Sequence, residues 1–135
     1  MGAWGAGIFD NDDACDFAAE VVDGGGVERI ASALDRVIDS GDGYLEAPEA
    51  SEGLAAAELV ARMNGRPGKR DAYTEKIDAW VFGAKVRPTD ELMNKARRVV
   101  IRVRAKPSEL LELWSEGGDP SEFLAELDGL AERLG

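Results

Sequence analysis

Four aspartates stand close together near the start of the chain: Asp10, Asp12, Asp13 and Asp16. Asp12 and Asp16 are four apart, so a helix would set them on one face. Glu46 and Glu49 follow Tyr44 and could approach the cluster once the chain folds. Converging carboxylate oxygens suit Mg²⁺ or Ca²⁺, and a carboxylate pair can carry out acid–base hydrolysis. Asp12, Asp16, Glu46 and Glu49 are therefore the candidate metal ligands. Their spacing is not that of an EF-hand loop, and the Glu-x-x-His pairs of helical di-iron proteins are missing. Helix capping and surface charge are the competing, plainer roles for the same side chains.

Other chemistries are restricted by what the chain lacks. It has no histidine, which removes Ser-His-Asp and Cys-His nucleophile arrangements and the usual zinc sites. Cys15 is the single cysteine, so no intrachain disulfide can form, as is common in a reducing compartment. Cys15 stands near a helix start, which favours a thiolate, but the neighbouring carboxylates oppose it. Pro67-Gly68-Lys69 lacks the Gly-x-x-x-x-Gly-Lys-Ser/Thr frame of a phosphate loop. No motif implies a cofactor, and the missing residue types favour a non-enzymatic protein.

Charge is the second informative feature. The net charge is −11 over 135 residues, which repels nucleic acid and acidic membranes and steers basic partners inward. The middle runs against this trend: residues 69–106 hold 11 Lys or Arg against 5 Asp or Glu. Lys95, Arg98 and Arg102 fall on the helix face opposite the apolar stripe. They are candidates for binding an acidic peptide or a phosphate group, set against a solvated helix back that pairs with the acidic segments. Interleaved aromatics that would stack nucleobases are absent from this patch. Trp4, Trp80 and Trp114 read as core or arm anchors, and an exposed tryptophan would anchor an interface.

These residues need elements to hold them. Residues 1–9 form an arm punctuated by Gly2, Gly5 and Gly7, with Trp4, Ile8 and Phe9 as its anchors. Asn11 or Asp12 caps a first helix whose apolar face is Ala14, Phe17, Ala18 and Val21, and Gly24-Gly25-Gly26 ends it. Val27, Ile30, Leu34, Val37 and Ile38 make a second helix, stopped by Ser40-Gly41-Asp42-Gly43. A third runs from about Pro48 to Met63, turning Leu54, Ala57 and Val60 inward with Leu59 or Met63 beside them. Residues 71–82 fit another helix through Tyr73, Ile77, Trp80 and Val81, ended by Gly83. Thr89 caps a stripe of Leu92, Ala96, Val99, Val100 and Val103. Residues 99–103 have strand propensity, but the longer helical period outweighs it. Ser108 caps a short helix with Leu110, Leu111 and Trp114. Asp119, Pro120 and Glu122 open the last helix in capping-box order, with Phe123, Leu127, Leu130 and Leu134 on its face.

The expected fold is all-α: one domain over residues 1–135, a bundle of five to seven helices with short links. No segment approaches a membrane span, no signal peptide is evident, and Ala6 stands where a myristoylation motif needs Ser or Thr. A soluble, cytoplasmic protein is expected.

The opening resembles the signature Met-Gly-x-Trp-Gly-x-Gly-x-Phe-x-Asn-Asp-x-Ala-x-Asp-Phe of a family of small bacterial proteins of unknown function. The matching residues are Met1, Gly2, Trp4, Gly5, Gly7, Phe9, Asn11, Asp12, Ala14, Asp16 and Phe17. Tyr44 to Glu49 with the alanine-rich run that follows, and Ser108 to Trp114, are similar to further family segments. The resemblance implies a stand-alone domain and marks Glu46, Glu49 and Trp114 as additional motif positions. It implies no activity. Trp4 is expected to pack over the junction between the arm and the acidic linker at Glu46 and Glu49.

Three functions follow as expectations. The first is a non-enzymatic interaction domain for another protein, basic in charge, with an immunity-like neutraliser or a regulator as concrete versions. The second is a metal-dependent hydrolase or small-ligand binder using Asp12, Asp16, Glu46 and Glu49. The third is a homo-oligomeric structural protein, since the sequence leaves the oligomeric state open.

Overall fold

The computed structural model describes residues 5–72, 74–85 and 87–135. Trp4 and Tyr73 lie outside the described residues. Seven α-helices are formed among them: α1 (Asp12–Glu20), α2 (Gly26–Ile38), α3 (Ala47–Met63), α4 (Glu75–Ala84), α5 (Asp90–Val103), α6 (Glu109–Glu116) and α7 (Ser121–Arg133). There is no β-strand among the described residues, only an isolated parallel pairing of Leu45 with Ser108. The all-α class and the helix number agree with the sequence. No helix among the described residues is long and apolar enough to cross a membrane.

Local side-chain bonds mark the starts of three helices. Asn11 holds extended backbone angles, and its Oδ1 accepts from the Ala14 N–H at 2.8 Å, filling one of the open donors of α1. Thr89 does the same for α5, accepting from Leu92 N–H at 3.1 Å. Asp119 Oδ1 accepts from Ser121 N–H at 2.9 Å at the head of α7, but the cap position is Pro120 rather than Asp119 and the expected capping box is not formed. The Ser121 bond is the main cause that lowers the Asp119 pKa.

Four further expectations are corrected. The glycine run does not separate α1 from α2. A wide turn over Val21–Gly25 joins them directly, and Gly24 takes φ +136° to allow it. Gly83 does not end α4, which continues to Ala84 before Lys85 turns left-handed at φ +52°. Ser108 stands at the head of α6 with extended angles, but its buried hydroxyl makes no capping bond.

The fourth of these corrections concerns α3. It does not bury one face: from Ala50 to Met63 every residue but Glu52 is buried. Seven of its positions are Ala or Gly, which leave room for neighbours on all sides, and α3 packs against every other α-helix. A Cβ on Gly53 would lie 2.5 Å from Val37 Cγ2 on α2. The crossing of α2 and α3 therefore depends on the missing side chain. Ile30, Leu34, Val37, Val99, Val103 and Leu127 complete the core around α3.

Candidate binding groove

The arm and the first turns of α1, α3 and α7 meet α6 around a groove of about 460 Å³. Its apolar walls are Ile8, Leu54, Leu110, Leu113, Trp114 and Phe123. Trp114 and Phe123 stack with ring centroids 5.7 Å apart and planes 7° from parallel, so the buried Phe123 of α7 backs the half-buried Trp114 of α6. Asn11, Asp12, Asp13, Ser51 and Glu109 supply the polar rim.

Each wall is fixed by identifiable bonds. The arm curls round the Asp10 carboxylate, whose Oδ2 accepts from Gly7 N–H at 3.0 Å. A Cβ at either Gly5 or Gly7 would come within 2.6 Å of that oxygen. Asp10 is thus a structural acceptor, and the two glycines exist to let the backbone close on it. Glu109 Oε1 accepts from Ala47 N–H at 2.7 Å, which caps α3 from the neighbouring helix. Leu45 N–H donates to Pro107 O at 3.2 Å, and Glu109 N–H to Leu45 O at 2.8 Å, holding the two strips of chain side by side. Arg102 reinforces this junction by donating to the carbonyls of Gly41, Gly43, Ala105 and Pro107.

The candidate metal ligands are placed apart from any such centre. Asp12, Asp16 and Glu46 are exposed and Glu49 is half-buried. Among the described residues no three His, Cys, Asp or Glu side chains are grouped to hold a metal ion. Asp12 lines the groove with Asp13, while Asp16, Glu46 and Glu49 do not. The candidate tryptophan Trp4 lies outside the described residues. Of the α5 cations, Lys95 pairs with Asp35 at 2.8 Å and Glu91 at 3.5 Å, and its pKa is raised first by the Asp35 bond. Arg102 is committed to backbone carbonyls. Arg98 remains exposed, one turn from Ile101, which is 65% exposed.

The sequence reading missed a buried ion cluster. Glu58, 1% exposed on α3, accepts through Oε2 from Arg62 Nε at 3.1 Å, Gly68 N–H at 3.0 Å and Arg133 Nη1 at 2.9 Å. Its Oε1 lies 2.7 Å from Arg133 Nη2 as an ion pair, without the alignment of a hydrogen bond. Arg62 also pairs with Asp78 on α4 and donates to the Lys69 carbonyl. The only local signal was a Glu and an Arg four apart in an alanine-rich helix. The cavity beside this cluster measures about 60 Å³. At about 30 Å³ per water it has room for solvent but not for a substrate. Glu126 borders it and has a raised pKa, first from burial, then from the Asp10 and Glu58 carboxylates, against the opposing pull of Arg133.

The groove offers binding chemistry: apolar walls, a hydroxyl, a carboxamide and carboxylates. Ser51 has no histidine to activate it, and no hydrogen bond joins it to another described side chain. A family model described as a domain of unknown function, DUF4259, matches residues 2–126. No curated protein and no solved structure matches the chain. With that match spanning most of its length, the chain belongs to the DUF4259 family.

Proposed function

We propose that this chain is a non-enzymatic, acidic interaction domain of the bacterial cytoplasm that binds a basic partner protein. An immunity-like neutraliser and a regulator are its two concrete forms. The observation that carries this reading is the groove, apolar inside and rimmed by Asp12 and Asp13, which have no cationic partner among the described residues. No Lys or Arg is among the described residues that line the groove. Arg29, Arg62, Lys95, Arg104 and Arg133 are paired with acids elsewhere. A surplus of negative charge at an apolar site speeds encounter with a basic surface and disfavours acidic competitors.

Native mass spectrometry of the protein purified from its own host, with a metal scan of the same sample, tests this. The expected result is a stoichiometric complex with a basic protein that weakens as salt rises. A monomer carrying a divalent metal, lost in Asp12→Asn or Asp16→Asn, would instead support the hydrolase or small-ligand alternative at Asp12, Asp16, Glu46 and Glu49.

A further inference from the structure

We propose that the groove receives one large apolar side chain of the partner protein, with a lysine or arginine adjacent to it in the partner's sequence. This deepens the interaction reading above and rests on it. Three features of the groove select that ligand.

The first is volume and lining. About 460 Å³ is in the range of ligand-binding clefts, roughly 300–1,000 Å³, and admits one large side chain together with the peptide backbone that carries it. The half-buried Trp114, backed by Phe123, gives an apolar face on which an aromatic or branched aliphatic side chain can lie.

The second is unspent hydrogen-bonding capacity. Ser51 lines the groove at 5% exposure, and its hydroxyl has no partner among the described residues. Such a hydroxyl is served by water or by an incoming polar group. Asn11 spends Oδ1 on Ala14 N–H, which leaves its amide N–H groups to donate. A peptide backbone supplies an N–H for the hydroxyl and a carbonyl for the carboxamide.

The third is charge. Asp12 and Asp13 are exposed at one end of the groove, whereas Glu109 has one oxygen bound to Ala47 N–H. A cation beside the apolar anchor would meet the two free carboxylates, and an acidic neighbour would be repelled there.

The test uses the full chain labelled with ¹⁵N, in which the Trp4, Trp80 and Trp114 indole signals are assigned by Trp→Phe variants. The probes are three blocked peptides: Gly-Lys-Phe-Lys-Gly, Gly-Lys-Ala-Lys-Gly and Gly-Glu-Phe-Glu-Gly. The expected result is a saturable shift of the Trp114 signal with the Lys-Phe-Lys peptide, and at least tenfold weaker binding of the other two. The D12N/D13N protein should lose tenfold or more, and Ser51→Ala a smaller amount, both with otherwise unchanged spectra. No saturable shift, or equal binding of the Lys-Ala-Lys or Glu-Phe-Glu peptide, would overturn the proposal. So would phenethylamine binding as well as the peptide, since the ligand would then be a free amine. A concentration-dependent Trp114 shift abolished by Phe82→Ala would make a second copy the occupant, and binding that appears only in Trp4→Ala would make it the chain's own arm. Both overturn it.

The two readings fail separately. A host partner that still binds D12N/D13N fully sinks only the groove proposal. Peptide binding without any host protein partner sinks the interaction reading and the partner with it, while the groove's preference for a Lys-Phe-Lys segment stands.

Discussion

Glu109 on α6 caps α3 by accepting the Ala47 N–H at 2.7 Å, across 62 residues of sequence. The wall of the groove and the start of the central helix are therefore joined through one carboxylate. Glu109→Ala should cost about 1–2 kcal/mol, as loss of an N-cap acceptor does. Glu109→Gln should retain most of that stability, because its amide oxygen still accepts. Urea unfolding of the two variants checks this, and equal losses would contradict it.

Removing Glu58 should be the costliest single change in the ion cluster. Its carboxylate serves Arg62 and Arg133, and Arg62 is itself 4% exposed. Glu58→Ala takes away the only carboxylate paired with Arg133 among the described residues and leaves the buried Arg62 with Asp78 alone, at an expected cost of about 3 kcal/mol. Adding Arg133→Ala should recover part of that loss, since one of the stranded cations is then gone. Chemical denaturation of the single and double variants decides it; a loss below about 1 kcal/mol for Glu58→Ala would be inconsistent with the observed burial.

Gly53→Ala sets helix propensity against packing. Alanine gains about 1 kcal/mol in a helix interior. The added Cβ would lie 2.5 Å from Val37 Cγ2 and 3.3 Å from Val99 Cγ1, and overpacking costs about 1–3 kcal/mol. The clash should win, with a net loss of up to about 2 kcal/mol. Val37→Ala in the same chain should relieve it, giving a non-additive pair. A more stable Gly53→Ala protein would show that α2 yields freely.

Cys15 should react slowly with alkylating reagents. Burial comes first in raising its pKa, followed by the carboxylates of Asp12, Asp16, Asp10 and Asp71. Its Sγ also donates to the Phe9 carbonyl at 3.1 Å. Only the thiolate attacks, so the midpoint of the rate against pH should lie above that of the unfolded chain. Asp12→Asn with Asp16→Asn should move the midpoint down. A folded midpoint at or below the unfolded one would contradict this environment.

Periodicity made the α2 and α5 stripes legible, and the caps at Asn11 and Thr89 were legible because each joins residues three apart. The surroundings of α3 were not. Alanine and glycine carry little amphipathic contrast, so a helix buried on all sides looked one-sided. Contacts between distant residues were equally silent. Ser108 had the residue type of a cap, yet Glu109 performs the capping, on a different helix. The Arg133–Glu58 pair joins residues 75 apart. The basic stripe was visible on α5, but the carbonyls that occupy Arg102 come from two separate loops. Asp12 and Asp13 were visible as acids, whereas the apolar surface beside them is assembled from α3, α6 and α7.

Hydrogen–deuterium exchange on the complex with the isolated host partner tests the groove as the interaction site most directly. Protection is predicted in three separated stretches, residues 5–13, 47–54 and 110–123, with little change across α2 and the exposed side of α5. Protection centred on Arg98 and Ile101, with those three stretches unchanged, would contradict the account.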